Sequence, residues 1–221
     1  MTYPVHIISY NLLTPLVKLI DDVAKLAGVG DIVIHDHAST YPPLLDWYSS
    51  PACPAQVVRH RENRGPLTLW EHGTLSGRYH HIVTDSDLDV SGIPQDALEV
   101  LHAGLNEWPD VIKCGLSLEL DDLPDTVEME VIRRHEGQYW RERCGRFWSA
   151  AVDTTFAMYR PERGWGGYKP ALRTDKPYTA RHVPWYWDPQ NLTDEQRYYL
   201  SQTSIGTWWT PRLLQALKQK S

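Results

Sequence analysis

The sequence predicts an α/β fold built on a mostly parallel sheet flanked by helices. Three observations carry that reading. Four short apolar runs in the first ninety residues have the length and β-branched content of buried strands. Segments of helical period separate them, so strands recur roughly every 25–30 residues, as in βαβ units. Each run ends in a polar residue: Asn11, Asp36, Asn63 and Asp85. Right-handed crossovers bring such strand ends to one edge of the sheet, where ligands of open α/β folds bind.

The elements follow in order. Val5–Tyr10 reads as the first strand. From Thr14 to Leu26 the residues Leu16, Val17, Leu19, Ile20, Val23 and Leu26 recur at helical spacing, with Thr14 as cap and Pro15 in the first turn. Gly28 and Gly30 close that helix, and Asp31–His35 forms the second strand. A short helix over about 42–48 leads through a Pro- and Ser-rich loop to a third strand at Gln56–His60. A third helix spans about 67–75, and Ile82-Val83 then runs into the acidic cluster Asp85, Asp87, Asp89 as the fourth strand. Beyond it the pattern predicts a helix over 95–107 and a strand over 111–118. An acidic loop with Glu119, Asp121, Asp122 and Asp125 follows, then a charged helix over 127–143 and a strand over 150–159. Residues 161–192 read as a long irregular loop, of a length that is usually functional. Helices around 194–201 and 211–218 finish the chain. We expect one domain over 1–221, with a first half over about 1–110 and a second over about 111–221.

Composition narrows the function. A formal charge of −6 with no basic run excludes a nucleic-acid surface. Three widely spaced cysteines without a CxxC pair indicate reduced thiols and a cytoplasmic protein. No basic region precedes a long apolar segment, and no stretch approaches the ~18 apolar residues of a membrane span, so no transmembrane segment is expected. Ten Trp and twelve Tyr against two Phe favour polar ligands with apolar faces, sugars among them.

Three chemistries fit carboxylates at alternate positions after a strand. An EF-hand calcium loop needs Gly where Val90 stands and Glu where Asp96 stands. A phosphohydrolase of the DxDx[TV] type matches Asp87-Leu88-Asp89-Val90, but its nucleophile should follow the strand directly. The third is a DxD at Asp85-Ser86-Asp87 that holds Mn²⁺ or Mg²⁺ against a diphosphate, the metal acting as a Lewis acid toward the departing nucleotide. The absence of GxGxxG and GxxxxGK[ST] removes the dinucleotide and P-loop readings.

The positions of Tyr10-Asn11, Asp36-His37-Ala38-Ser39, Asn63-Arg64-Gly65 and Asp85-Ser86-Asp87 resemble, in order and spacing over about residues 4–110, the motifs of glycosyltransferases of the GT-A fold, family two in particular. The resemblance implies transfer of a sugar from a nucleotide-diphosphate donor with a divalent cation. It implies that Tyr10, Asn11, Asp36, Asn63, Arg64, Gly65, Asp85 and Ser86 contact the nucleotide sugar, Asp36 at the base or ribose. Asp85 and Asp87 would hold the metal, with His182 completing its coordination.

The second half lacks the family's Glu-Asp pair. Asp153 is the preferred general base, since its strand should return beside the DxD; Asp121, Asp122 and Asp175 are the fallbacks. Trp165, Trp185 and Tyr186 are the expected platform for a glycan-like acceptor. The competing functions are a metal-dependent phosphohydrolase using Asp87 and Asp89, and a glycan-binding module without catalysis.

Overall fold

A computed structural model describes residues 1–71, 75, 79–161, 163–203, 213 and 215. The first half follows the predicted alternation: β1 (Tyr3–Ser9), α1 (Thr14–Val23), β2 (Val29–His37), α2 (Pro42–Tyr48), β3 (Gln56–His60), α3 (Thr68–Glu71) and β4 (His81–Asp85). These four strands pair in parallel in the order β3-β2-β1-β4.

The second half is more broken than its sequence suggested. The elements β5 (Leu88–Asp89), α4 (Ala97–Glu107), β6 (Lys113–Gly115), β7 (Ser117–Leu118) and α5 (Val127–Glu136) come first. The hairpin strands β8 (Arg143–Cys144) and β9 (Phe147–Ser149), then β10 (Ala157–Tyr159), β11 (Ala171–Arg173), β12 (Thr179–His182) and α6 (Asp194–Gln202) follow. The strand expected over 111–118 is split at Leu116, its halves joining different sheets. The strand expected over 150–159 is reduced to its last three residues, and the charged helix ends at Glu136 before a 3-10 turn. The supposed loop 161–192 contains β11, β12 and a second 3-10 turn, Val183–Tyr186. Of the helix expected at 211–218, only Leu213 and Gln215 lie within the described residues.

The large sheet runs β3-β2-β1-β4-β10-β6-β11-β9-β8. Strand β10 returns antiparallel between β4 and β6, pairing Ala157 with Val83 and Tyr159 with His81. A small sheet, β5-β12-β7, ties the chain after residue 178 to the segment just past β4. Among the described residues no helix is long and apolar enough to cross a membrane.

Side chains alternate between the faces of a strand, and the two faces here differ. On one, Val5, Ile7, Ile34, Ile82 and Met158 pack with Leu16, Leu19 and Ile20 of α1 and Leu98, Leu101 and Leu105 of α4. Gly104 permits the close approach of α4, since a Cβ there would meet the Phe147 ring at 2.9 Å. The other face carries Ile8, Val83, Ala157 and Tyr159 under Leu69, and it also holds a row of imidazoles. His6 Nδ1 lies 3.0 Å from His35 Nε2, the His6 and His81 ring centroids are 6.0 Å apart, and His81 stacks on Tyr159 at 5.7 Å. Burial is the main cause that lowers the pKa of His6, His35 and His37 to about 4, 3 and 4.

Candidate functional site

At the carboxyl edge of the parallel strands a cleft of about 370 Å³ is lined by Ile8, Tyr10, Leu12, His37, Asn63, Gly65, Pro66, Asp85, Ser86, Asp87, Asp153, Thr154, His182, Tyr199, Gln202 and Thr203. The topology explains the grouping. Strands β1, β2, β3 and β4 deliver their ends side by side, β10 is entered through Asp153 and Thr154, and β12 delivers His182 through its pairing with β5.

The acidic end is built around Asp85. Its backbone neighbour Ser86 donates its N–H to the Ile8 carbonyl, fixing the exit of β4. Thr154 Oγ1 donates to Asp85 Oδ2 at 2.8 Å. Burial, and then the anions of Asp87 and Asp153, push the Asp85 carboxyl well above the ordinary carboxylate range. His182 Nε2 stands 3.4 Å from Asp87 Oδ2, and the Val183 N–H donates to the Asp87 carbonyl at 2.9 Å. Asp87 is therefore gripped by its backbone and faced by an imidazole from a segment 95 residues later in sequence.

Among the described residues no three His, Cys, Asp or Glu side chains stand together at ligand spacing. The residue types and charges nevertheless fit a divalent cation. The charges of Asp87 and Asp153 oppose the ionisation of Asp85, and a cation relieves such repulsion. Mg²⁺-type sites commonly use one or two carboxylates together with substrate phosphates instead of an all-protein cage. Asp85, Asp87 and His182 are the groups that would hold it.

Asp153 is exposed and sits where the cleft meets a second pocket of about 300 Å³, lined by Arg64, Pro66, Leu67, Asp153, Thr154, Trp165 and Tyr168. Its Oδ1 accepts from the Thr155 N–H at 3.0 Å, and its carbonyl accepts from the Tyr159 hydroxyl at 3.0 Å. Arg160, a conceivable partner for it, instead donates to the carbonyls of Val111, Leu105 and Trp108. The fallback carboxylates are engaged elsewhere: Asp121 with Lys176, Asp122 with Arg181, Asp175 with Arg143.

Four of the expected site residues stand outside the cleft. Asn11 is fully buried in a left-handed turn (φ 52°), where Asn is well tolerated. Its Oδ1 accepts from the N–H groups of Thr40 and Tyr41, and its own N–H donates to Ser39 Oγ, so it staples two loops below the cleft. Asp36 is likewise fully buried, receiving Arg59 Nε, the Ser39 N–H and the Tyr48 hydroxyl on the face opposite Asp85. Trp185 is in the core, its ring 4.9 Å from that of His182, which it backs. Tyr186 donates to Asp122 at 2.6 Å. None of the four lines the cleft. Asp89, the second carboxylate of the phosphohydrolase alternative, is paired with Lys18 at 2.8 Å and is also outside the lining.

Tyr10, Asn63, Gly65, Ser86 and Trp165 stand at the cleft or its adjoining pocket, and so does Arg64, paired with Glu62 at 2.8 Å. Gly65 takes a φ of 81° and donates to Asn63 Oδ1 at 3.0 Å, a turn closed by the Asn side chain. Sequence reasoning missed the wall formed by Tyr199, Gln202 and Thr203. Tyr10 donates to the Gln202 carbonyl at 3.2 Å, and the Tyr10 and Tyr199 rings meet edge-on at 6.4 Å. Burial first, and Asp87 next, raise the Tyr199 pKa, so its hydroxyl keeps its proton. The alternation of polar and aromatic residues in α6 offered no signal that this helix faces the strand ends.

No family model and no curated protein matches the sequence. Solved structures do. Glucosyl-3-phosphoglycerate synthase from Mycobacterium tuberculosis, in complex with Mn²⁺, uridine diphosphate and glucosyl-3-phosphoglycerate, is 15% identical with a TM-score of 0.48, over 82% of this chain and 71% of that one. Mannosyl-3-phosphoglycerate synthase from Rubrobacter xylanophilus is 10% identical with a TM-score of 0.47, over 100% and 74%. A CMP:2-keto-3-deoxy-manno-octonic acid synthetase complexed with CTP is 14% identical with a TM-score of 0.40, over 52% of each chain, so this chain spans about half its length.

Proposed function

We propose that the protein is a metal-dependent glycosyltransferase that moves a sugar from a nucleotide-diphosphate donor to a glycan-like acceptor. The observation that carries this reading is the meeting of Asp85, Asp87, His182 and Asp153 in one cleft at the edge of a parallel sheet, with Asp153 also bordering an adjoining aromatic pocket. The cleft takes the donor, with its diphosphate toward Asp87 and His182. A bound divalent cation would supply neutralisation of the charge that develops on the departing diphosphate.

The remaining chemistry belongs to the chain. Asp153 is exposed, oriented by the Thr155 N–H and at the boundary of both cavities. It takes the proton of an acceptor hydroxyl as that oxygen forms its bond to the anomeric carbon, while the electron pair of the breaking bond leaves with the phosphate oxygen. Attack from the face opposite the leaving group makes the reaction inverting. Trp165 and Tyr168, whose rings meet edge-on at 5.1 Å, offer the acceptor an apolar face beside that carboxylate.

A thermal-shift panel of nucleotide diphosphates and nucleotide sugars, with and without Mn²⁺, tests the reading. A donor present at 100 times its dissociation constant stabilises by about 2.7 kcal/mol, and the stabilisation should need the metal. If no nucleotide shifts the transition with Mn²⁺ present, the donor reading is wrong. A shift by glycans alone, indifferent to chelator, would instead support a binding module.

A further inference from the structure

We propose that His37, with Asn63 beside it, recognises the base of the donor nucleotide, the role that resemblance assigns to Asp36. The inference rests on the donor reading above and concerns which residue fixes base preference.

The pleat of the sheet argues for it first. The parallel register pairs Ile8 with His35 on one side and with Asp85 on the other. Directly paired residues project to the same face, and residues two apart on a strand share a face. His37 therefore stands on the face of Asp85 and Ile8, all three of which line the cleft. Asp36 projects to the opposite face, where Arg59, Ser39 and Tyr48 occupy its carboxylate.

The state of the imidazole argues for it next. His37 is 2% exposed, and its Nε2 has no hydrogen-bond partner among the described residues. A buried polar atom without a partner is costly, and in the wall of a cleft a ligand atom removes that cost. The ring packs edge-on against His60 at 5.0 Å. Burial and His60 keep it neutral at pH 7, with one ring nitrogen a donor and the other an acceptor. Such a group suits the uncharged edge of a nucleobase better than a phosphate. Asn63 lies within hydrogen-bonding reach of the ring, and its Oδ1 is already engaged by the Gly65 N–H. The carboxylates Asp85 and Asp87 stand in the same cleft with His182, and a cation there would draw the diphosphate. The other flank of the strand edge, formed by His37, Asn63 and Tyr10, is left for the base.

The test is calorimetric titration with UDP, CDP, ADP and GDP, and with inorganic pyrophosphate, all in Mn²⁺. The wild type should prefer one base by about tenfold or more. His37→Ala should bring the four nucleotides to within about threefold of one another, with pyrophosphate affinity unchanged, and His37→Gln should restore part of the preference. In the wild type, the ¹⁵N resonances of His37 should move with the preferred nucleotide and stay put with pyrophosphate, a readout that does not depend on a variant's folding. Retained base preference in His37→Ala, a wild type indifferent to the base, or silent His37 resonances would each overturn the proposal while leaving the donor reading intact. Failure of every nucleotide to bind the wild type would remove the donor reading itself.

Discussion

Thr154 donates its hydroxyl proton to Asp85 across 2.8 Å, joining the approach to β10 to the end of β4. The bond orients the carboxylate that burial and two neighbouring anions make reluctant to ionise. Thr154→Val keeps the shape and removes the donor. A hydrogen bond to a charged group is worth about 1.5–3 kcal/mol, so Mn²⁺-dependent nucleotide binding should weaken by roughly ten- to a hundredfold. Calorimetry checks this, and an unchanged affinity would mean that Thr154 merely fills space.

Helix α1 is capped from the far end of the chain. Glu195 accepts the N–H groups of Leu13 and Thr14 and the Thr14 hydroxyl, satisfying donors that the first turn leaves orphaned. The same helix, α6, brings Tyr199 and Gln202 to the cleft. Glu195→Ala should cost about 1–2 kcal/mol, as loss of an N-cap does, or roughly 2–8 °C in Tm for a chain of this size. Nucleotide affinity should fall with it because the wall is anchored by this contact. Glu195→Gln, which keeps an acceptor oxygen, should recover a large part of both.

The imidazole row predicts an acid-sensitive fold. His6, His35 and His37 have folded-state pKa values near 4, 3 and 4 against an ordinary value of 6.5. The unfolded chain therefore binds more protons than the folded one between those limits, so stability is full above about pH 6.5 and falls as pH drops toward 4. A fully shifted group contributes up to about 1.4 kcal/mol per pH unit inside that window. Denaturant unfolding at steps from pH 7.5 to 5 should show the decline beginning near 6.5. A flat profile down to pH 5 would contradict the buried, neutral row.

Much of this arrangement was legible in the sequence. The 3.6-residue period of Leu16, Leu19, Ile20 and Val23 and the apolar runs of β1, β2, β3 and β4 specified the parallel half, and the acidic end of β4 marked the cleft. What the sequence reading lacked was a count of the pleat, which decides the face each polar strand end projects to. Asp36 and Asn11 are polar and terminal but lie outside the cleft, and His37, one residue after Asp36, shares the sheet face and the cleft of Asp85. Strands of two to four residues such as β8, β9, β11 and β12 are too short for a period to show. The Glu195 cap and the Tyr199 wall depend on contacts that only the folded chain reveals, the cap spanning 181 residues.

Lys113 shows a cost to stability that the proposed acceptor pocket would explain. Its side chain is fully buried, and its Nζ has no hydrogen-bond partner among the described residues. It lies 4.9 Å from the Trp165 ring centroid and 5.2 Å from that of Tyr159. Burial lowers its pKa to about 8, with Asp153 pulling the other way. Between pH 8 and the ordinary value of 10.5 the unfolded chain holds the proton and the folded one releases it, so this lysine's contribution to stability rises with pH across that window, against the opposite pull of the buried Cys114 thiol and tyrosine hydroxyls, whose pKa values burial raises. Lys113→Met should add on the order of 1–3 kcal/mol at pH 7, because a buried unpaired charge is replaced by an apolar chain of similar length, and its advantage over the wild type should shrink as pH rises from 8 toward 10.5. The functional loss should appear at Trp165, which lines the pocket beside Asp153. Removing a cation–π contact of about 1–2 kcal/mol should loosen that ring and raise the acceptor KM roughly five- to thirtyfold, with kcat little changed. A variant that is both more stable and worse at binding acceptor would show that the lysine is there for the pocket and not for the fold; an unchanged KM would assign it to the core alone.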